Sequence, residues 1–201
     1  MKSYMESFGK IECPFVRDDK GIVTPQIEEG YEWVFEDPNV LAVEKLDGEN
    51  LSVYMQNGQL IGLRKRDEVI SCGNLDYNSF INSVRKAYTR GRLPLIDGVH
   101  YGEAMNTDHG RNFLDLDEPD WFAFDYCKAN FAYESFHKYE KTFENLSSWF
   151  KDWIFSLAYN KYHAKKKFPE GIVFYHPDGR MAKLRRDMFE FFSGARHKEI
   201  I

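Results

Sequence analysis

The sequence predicts an α+β fold built on antiparallel sheets. Two hairpin signatures carry much of that reading. Asn57-Gly58 joins Leu51–Gln56 to Gln59–Arg66, and His176-Pro177-Asp178-Gly179 joins Gly171–Tyr175 to Arg180–Leu184. Both are turn sequences between β-prone runs, and Asn-Gly in particular supplies the left-handed backbone of a two-residue hairpin. The third observation concerns the helices. Two long stretches show helical periodicity, one mid-chain and one before the final hairpin, with none of the strand–helix alternation that a parallel sheet needs. The 201 residues suit a single domain, expected to span the whole chain.

Taken in order, residues 1–40 are short apolar pieces broken by Pro14, Pro25 and Pro38, with a turn at Asp18-Asp19-Lys20-Gly21, and predict short strands and loops. Leu41–Leu46 and Leu51–Gln56 read as strands, and Gln59–Arg66 as the returning one. Alternation puts Arg64 and Arg66 on one face of that strand. Asn74–Arg90 predicts a helix from the spacing of Leu75, Phe80, Ile81, Val84 and Tyr88, with Gly91 as its stop. Leu95–Met105 reads as a strand pair or bent strand, and the polar stretch Asn106–Asp120 as an exposed loop. Trp121–Cys127 reads as an apolar strand interrupted by Asp125, a carboxylate that would be costly to bury unpaired. Thr142–Lys165 predicts one long amphipathic helix whose Phe143, Leu146, Phe150, Trp153, Ile154, Leu157 and Tyr162 belong to the core. A short helix over Asp187–Ala195 closes the chain.

With 43% hydrophobic and 16% aromatic residues the chain can bury a sizeable core. No run approaches the roughly 18 apolar residues of a membrane span, and the N-terminus lacks a signal-peptide stretch. Cys13, Cys72 and Cys127 are odd in number and far apart, which points to reduced thiols and a cytoplasmic protein. His100, His109, His137, His163, His176 and His197 form no zinc-ligand spacing and are expected at the surface or in hydrogen bonds. The net charge of −5 argues against indiscriminate nucleic-acid binding. Charge is uneven, however. Between Lys161 and Arg186 eight Lys or Arg face two acidic residues, Glu170 and Asp178, which suggests a local site for a polyanion. The Lys165–Lys167 cluster within it reads equally as a solvated helix end.

The chain is organised around Val43-Glu44-Lys45-Leu46-Asp47-Gly48-Glu49-Asn50. It sets one lysine at the end of an apolar run, an acid two positions on, then a glycine and a second apolar run. Such a lysine is either a surface residue on a strand or a buried nucleophile, and the second role needs a neutral amine, obtained through desolvation or nearby cations. Gly48, lacking a Cβ, would let the backbone turn sharply and a ligand approach. Four further pieces follow in sequence: Tyr101-Gly102-Glu103, Trp121-Phe122-Ala123-Phe124-Asp125, Glu170-Gly171-Ile172-Val173 and Lys183-Leu184-Arg185-Arg186-Asp187.

In order and separation these five pieces resemble the motifs of the covalent nucleotidyltransferase superfamily, which holds the ATP-dependent ligases and the mRNA-capping guanylyltransferases. The match covers residues 41–187. Lys-x-Asp-Gly-x-Asn, Phe124-Asp125 and the final Lys-Leu-Arg-Arg-Asp-Met-Phe make the chain most similar to phage-type RNA ligases. It departs from them at Arg185, where the family often has a second lysine. Arginine keeps the charge but presents a planar fork in place of a point. A second departure is at the end: 14 residues follow Asp187, so the expected fold is a nucleotidyltransferase (ATP-grasp-like ligase) domain of antiparallel sheets flanked by helices, with no C-terminal OB-fold within the chain.

The resemblance implies a chemistry. Lys45 would attack the α-phosphate of ATP, expel pyrophosphate and form lysyl-AMP. The AMP would pass to a 5′-phosphate end, and a 3′-hydroxyl would displace it and seal the strand. Lys183 and Arg185 would hold α-phosphate oxygens and help keep Lys45 neutral. Glu170, with Asp47 as the weaker candidate, would bind Mg2+ or Mn2+. Glu103 would accept hydrogen bonds from the ribose, Phe124 would stack on the base, and Asn50 with Arg64 or Arg66 would contact ribose or phosphate. Glu44, beside the lysine, is counted with the nucleotide-binding residues. Partners would be RNA ends, or DNA ends, with no membrane. The alternatives are a nick-sealing DNA ligase, a GTP-using transferase with the same lysine, and a nucleotide- or RNA-end-binding module that does not seal.

Overall fold

The computed structural model describes residues 6–71 and 75–192 and the backbone of 199–200. Cys72, Asn74, His197 and the last residues of the expected closing helix lie outside these. In chain order the strands are β1 (Phe15–Arg17), β2 (Val23–Ile27), β3 (Leu41–Lys45), β4 (Glu49–Gln56), β5 (Gln59–Lys65), β6 (Glu68–Ile70), β7 (Gly98–Met105), β8 (Asp120–Ala123), β9 (Lys166–Lys167), β10 (Gly171–Tyr175), β11 (Met181–Arg185) and β12 (Glu199–Ile200). The helices are α1 (Trp33–Glu36), α2 (Asn78–Thr89), α3 (Phe124–Asn130), α4 (Phe143–Ser148) and α5 (Leu157–Tyr162). Every pairing among these strands is antiparallel, so the α+β architecture holds. The chain forms two compact units, one of residues 1–9 and 47–127 and one of residues 10–46 and 128–201. No helix among the described residues is long and apolar enough to cross a membrane.

The first unit is a five-stranded sheet in the order β6-β5-β4-β7-β8. Residues of one parity, Leu51, Val53, Met55, Leu63, Ala104, Trp121 and Ala123, are buried against Phe80, Val84 and Ala87 of α2. Side chains alternate across a strand, so the other parity faces the opposite way: Asn50, Ser52, Arg64, Tyr101 and Glu103. The Asn57-Gly58 hairpin forms as expected, with φ of 52° and 70°. The strand does not reach Arg66, however. It stops at Lys65, and Arg66 takes φ of 47° in a turn, so the alternation that set Arg64 and Arg66 on one face ends before Arg66. A third strand, β6, follows that turn. Thr107, Phe113 and Leu114 are buried, so the expected exposed loop is anchored within the unit. Asp120 is 1% exposed and is paired with Arg92 at 2.5 Å and Arg90 at 3.2 Å. Beyond it the expected strand is wrong: β8 ends at Ala123, and Phe124 and Asp125 open α3. Asp125 is exposed there, in the helical first turn that suits an acid, so no buried carboxylate needs explaining.

The second unit centres on a three-stranded sheet, β11-β10-β3. Ala42, Ile172, Phe174, Ala182 and Leu184 on one face pack into a core with Phe136, Trp149, Phe150 and Phe189. The expected helix over Thr142–Lys165 is broken into α4, a wider π turn at Trp149–Trp153, and α5. Thr142 and Ser156 each cap a start, accepting from Asn145 N and Tyr159 N. Both pieces press into one core, through Leu146, Phe150 and Ile154, then Ala158 and Tyr159, but Trp153, expected in the core, is 54% exposed because the π turn carries it outward. Ser156 N turns instead to the Lys167 carbonyl at 2.8 Å. Among the described residues of the expected closing helix there is a 3-10 turn, Arg186–Met188. Cys13 and Cys127 are buried. His100, His109 and His176 are hydrogen-bonded, to Ile96 O, Asp76 O and Asp37 respectively.

Candidate active site

Register in the three-stranded sheet decides what surrounds Lys45. Gly171 pairs with Lys45 on one side and with Arg185 on the other; Val173 pairs with Val43 and Lys183. Directly paired residues of an antiparallel sheet share a face, as do residues two apart. Lys45, Arg185 and Lys183 therefore lie on one face, the cations separated from Lys45 by β10. Neighbouring strands are about 4.8 Å apart, so Lys45 and Arg185 stand roughly 10 Å apart at their Cα atoms. Gly171 floors that gap. A Cβ built on it would collide with the Leu184 carbonyl oxygen and lie 2.7 Å from Arg185 Cα, so only glycine lets β10 and β11 approach.

The charges are arranged around this row. Lys45 Nζ donates to Glu170 Oε2 at 2.6 Å and to the Leu46 carbonyl at 3.2 Å. Glu170 is 3% exposed and sits directly before Gly171, its carbonyl receiving Arg186 N at 2.9 Å. The sequence reading surrounded the amine with cations; the structure adds a carboxylate in contact with it. Lys183 is held below the ordinary lysine range, first by burial and then by the charges of Lys45 and Arg185, with Glu12 and Glu170 opposing. Arg185 Nε lies 2.9 Å from Asp187 Oδ1, an ion pair at an angle short of a hydrogen bond.

Glu44 does not join this face. Its neighbours in sequence point forward, so alternation sends its carboxylate into the core, where it is 2% exposed. It accepts from Ser156 Oγ and, at 2.9 Å, from Ala158 N. Burial, the leading cause, pushes it up to about 7. This is the role of a buried clamp between β3 and the start of α5, and no spacing in the sequence links residue 44 to 156.

In the other unit the polar face of the sheet gathers a second group. Asn50 pairs with Glu103, and Ser52 with Arg64 and Tyr101. Glu103, 9% exposed, accepts from Gly48 N at 3.1 Å. A Cβ on Gly48 would collide with the Ala104 carbonyl oxygen and lie 2.6 Å from Met105 Sδ. Close packing on β7 is thus the reason for glycine at this position. Ser52 Oγ is fully buried without a hydrogen-bond partner on the same face. Arg64 Nε donates to the Arg66 carbonyl at 2.8 Å, while Arg66 itself is exposed. Asp47 accepts from Arg111 Nη1 at 3.1 Å. Phe124 is half-buried, its ring 4.9 Å from Phe8, which also lies 5.0 Å from Tyr101. Arg111 and Phe8 were missed in the sequence: both stand in stretches without periodicity, and nothing in their spacing ties them to Asp47 or Phe124.

The sequence model for RNA ligases matches residues 38–189, most of the chain. The chain belongs to the RNA ligase family. Among solved structures, it is similar to an arginine-to-alanine mutant of Naegleria gruberi RNA ligase with ATP and Mn, at a TM-score of 0.54 and 17% identity over 92% of this chain and 57% of that one. It is also similar to a lysine-to-alanine mutant of the same ligase with ATP and Mn, at a TM-score of 0.50 and 18% identity over 90% of this chain and 62% of that one. At this identity the likeness concerns the fold. The chain spans less than two thirds of the length of these ligases. No curated protein matches it.

The fit of a divalent metal rests on the donors present. Among the described residues no three His, Cys, Asp or Glu cluster into a cage. Mg2+ and Mn2+ are commonly held by one or two carboxylates together with substrate phosphates, and Glu170, buried beside Lys45 Nζ, fits that pattern. Asp47 fits it less well, since Arg111 already holds its carboxylate.

Proposed function

We propose that residues 1–201 act as a single adenylylation domain of an ATP-dependent RNA ligase. The supporting observation is the row Lys45–Gly171–Arg185, with Lys183 on the same face and Glu170 touching Lys45 Nζ. Lys45 Nζ attacks the α-phosphorus of ATP; a P–N bond forms, the bond to the bridging oxygen breaks, and pyrophosphate leaves with the electron pair. Lys183 and Arg185 neutralise the charge that grows on the α-phosphate oxygens, which is most of what phosphoryl transfer asks of a protein. Gly171 leaves room for the phosphate between them. The amine must first lose its proton and its bond to Glu170. Glu170, in contact with Nζ, is placed to take that proton, and its carboxylate would hold a divalent metal. A bound Mg2+ or Mn2+ would supply charge neutralisation to the leaving pyrophosphate.

On the other unit, Glu103 and Asn50 take the ribose hydroxyls, Arg64 a phosphate, and Phe124 the base. Arg66, exposed and in a turn, is the lesser candidate. Glu44 acts by holding β3 in place. The adenylate then passes to a 5′-phosphate RNA end, and a 3′-hydroxyl seals the strand. The test is incubation with α-labelled ATP or GTP, followed by denaturing electrophoresis under conditions that keep a phosphoramidate, then addition of a pre-adenylylated RNA strand. Labelling by ATP that is lost in Lys45→Ala, and joining of the pre-adenylylated strand, is the expected result. Absence of label with both nucleotides overturns the enzymatic reading; label without joining restricts it to the first step.

A further inference from the structure

The first residues of the first unit lie against the ring assigned to the nucleotide base. Phe8 is half-buried, its ring centroid 5.0 Å from Tyr101 and 4.9 Å from Phe124, at tilts of 52° and 55°. Tyr101 Oη donates to the Glu6 carbonyl at 3.3 Å, beyond the usual length of such a bond. Glu6, Ser7 and Gly9 are exposed. Among the described residues, these are the only hydrogen bond and ring contacts that residues 6–9 make. Gly9 has open space where a side chain would stand. The chain is fixed again at Glu12, whose carbonyl receives Lys183 N at 2.8 Å. A lightly held segment thus rests on the face that carries Glu103 and Asn50. That face also holds an unmet polar group: Ser52 Oγ, in register with Tyr101, is buried without a hydrogen-bond partner. A hydroxyl left so is costly, and a polar ligand on this face would supply its partner.

The geometry separates two roles for Phe8. Two rings that sandwich a base stand parallel and about 7 Å apart, twice the roughly 3.5 Å of van der Waals contact. Phe8 and Phe124 are closer than that and steeply tilted, so no base fits between them. Phe8 is also the one aromatic partner of Phe124 among the described residues. A stacked base and Phe8 therefore compete for the same ring. We propose that residues 6–8 form a strap over the base subsite, and that Phe8 must leave Phe124 before a nucleotide can bind. The inference rests on the reading of Phe124 as the stacking ring and adds to it a device that sets nucleotide affinity. Such a strap weakens every ligand that carries a base by one common factor, the fraction of molecules with the strap lifted. Ligands without a base are unaffected.

The experiment compares the full chain as wild type, Phe8→Ala and Phe8→Trp. Calorimetry gives the Kd for AMP without any chemistry, and the labelling reaction gives the KM for ATP. Phe8→Ala should lower both by about fivefold, the factor that one aromatic pair is worth. Phe8→Trp, a larger cover, should raise both. Inhibition of labelling by inorganic tripolyphosphate, which has no base, should keep its constant. Circular dichroism checks that each variant folds. Weaker AMP binding in Phe8→Ala would make Phe8 part of the base site and overturn the proposal. Unchanged constants for AMP and ATP, or a tripolyphosphate constant that shifts with them, overturn it too, as does a failure of both wild type and Phe8→Ala to bind AMP. Absence of label in a protein that binds AMP, and binds it more tightly as Phe8→Ala, strikes the ligase reading instead and leaves the strap standing.

Discussion

Glu44→Gln is a perturbation whose outcome follows from one buried carboxyl. In the folded protein Glu44 is pushed from its ordinary 4.5 up to about 7, with burial the first cause and hydrogen bonds from Ser156 and Ala158 opposing it. Between these two values the native state keeps a proton that the unfolded chain has released. Stability is therefore fully present below 4.5, falls as pH rises, and levels off above about 7. At 1.36 kcal/mol per pH decade the loss amounts to roughly 3 kcal/mol. For a chain of this length each kcal/mol moves the midpoint by about 2–4 °C, so melting should drop by about 6–12 °C. Glutamine resembles the protonated acid and does not titrate. The variant should match the wild type near pH 5 and exceed it near pH 8. His176, raised by Asp37 and then Asp178, loses its contribution in the same direction as pH rises above 6.5, so the difference between the two melting curves isolates Glu44. Calorimetry or dye-monitored melting from pH 5 to 8 reads it. Parallel curves for the two proteins would refute the argument.

Four further outcomes are expected. Lys45→Arg should abolish autoadenylylation in a labelling gel, because a guanidinium stays protonated and is a poor nucleophile. Gly171→Ala should lower stability in urea by at least about 2 kcal/mol, as overpacking against the Leu184 carbonyl demands a backbone shift. Asp120→Ala should cost about 3 kcal/mol in the same assay, since it strands the two arginines that a buried carboxylate now holds. Glu103→Ala should raise the KM for ATP in the labelling reaction while the melting midpoint moves little; unaltered nucleotide use would remove Glu103 from the ribose.

What the sequence made legible was local or motif-bound. Asn57-Gly58 dictated its hairpin, and the Lys45, Glu170 and Lys183–Arg185 pieces fell on adjacent strands because a shared sheet face is what their spacing serves. The misreadings came where tertiary contacts overrode periodicity. A new helical piece begins at Ser156 because Glu44 and Lys167 claim the nearby polar groups; Glu44 lies 112 residues away, and Lys167 falls beyond the helical pattern. Phe124-Asp125 reads as strand by composition, but Ala123 is the last residue with a partner on β7. Arg66 looked like a strand residue until its φ of 47° placed it in a turn. Arg111 could not be assigned to Asp47, 64 residues earlier, by any local rule.

The separation between Lys45 and Glu170, 125 residues along the chain, bears on how the protein is born. Contacts this distant close late, because loop entropy must be overcome first. The core built from Leu51 to Ala123 draws on one continuous segment and can assemble while the ribosome is still translating the rest. Strand β3 has to wait, its partner edge unmade, until β10 and β11 emerge. Lys45 is thus made well before most of the residues that come to surround it, so a nascent chain stopped before Arg185 would carry the lysine without its neighbours on β10 and β11.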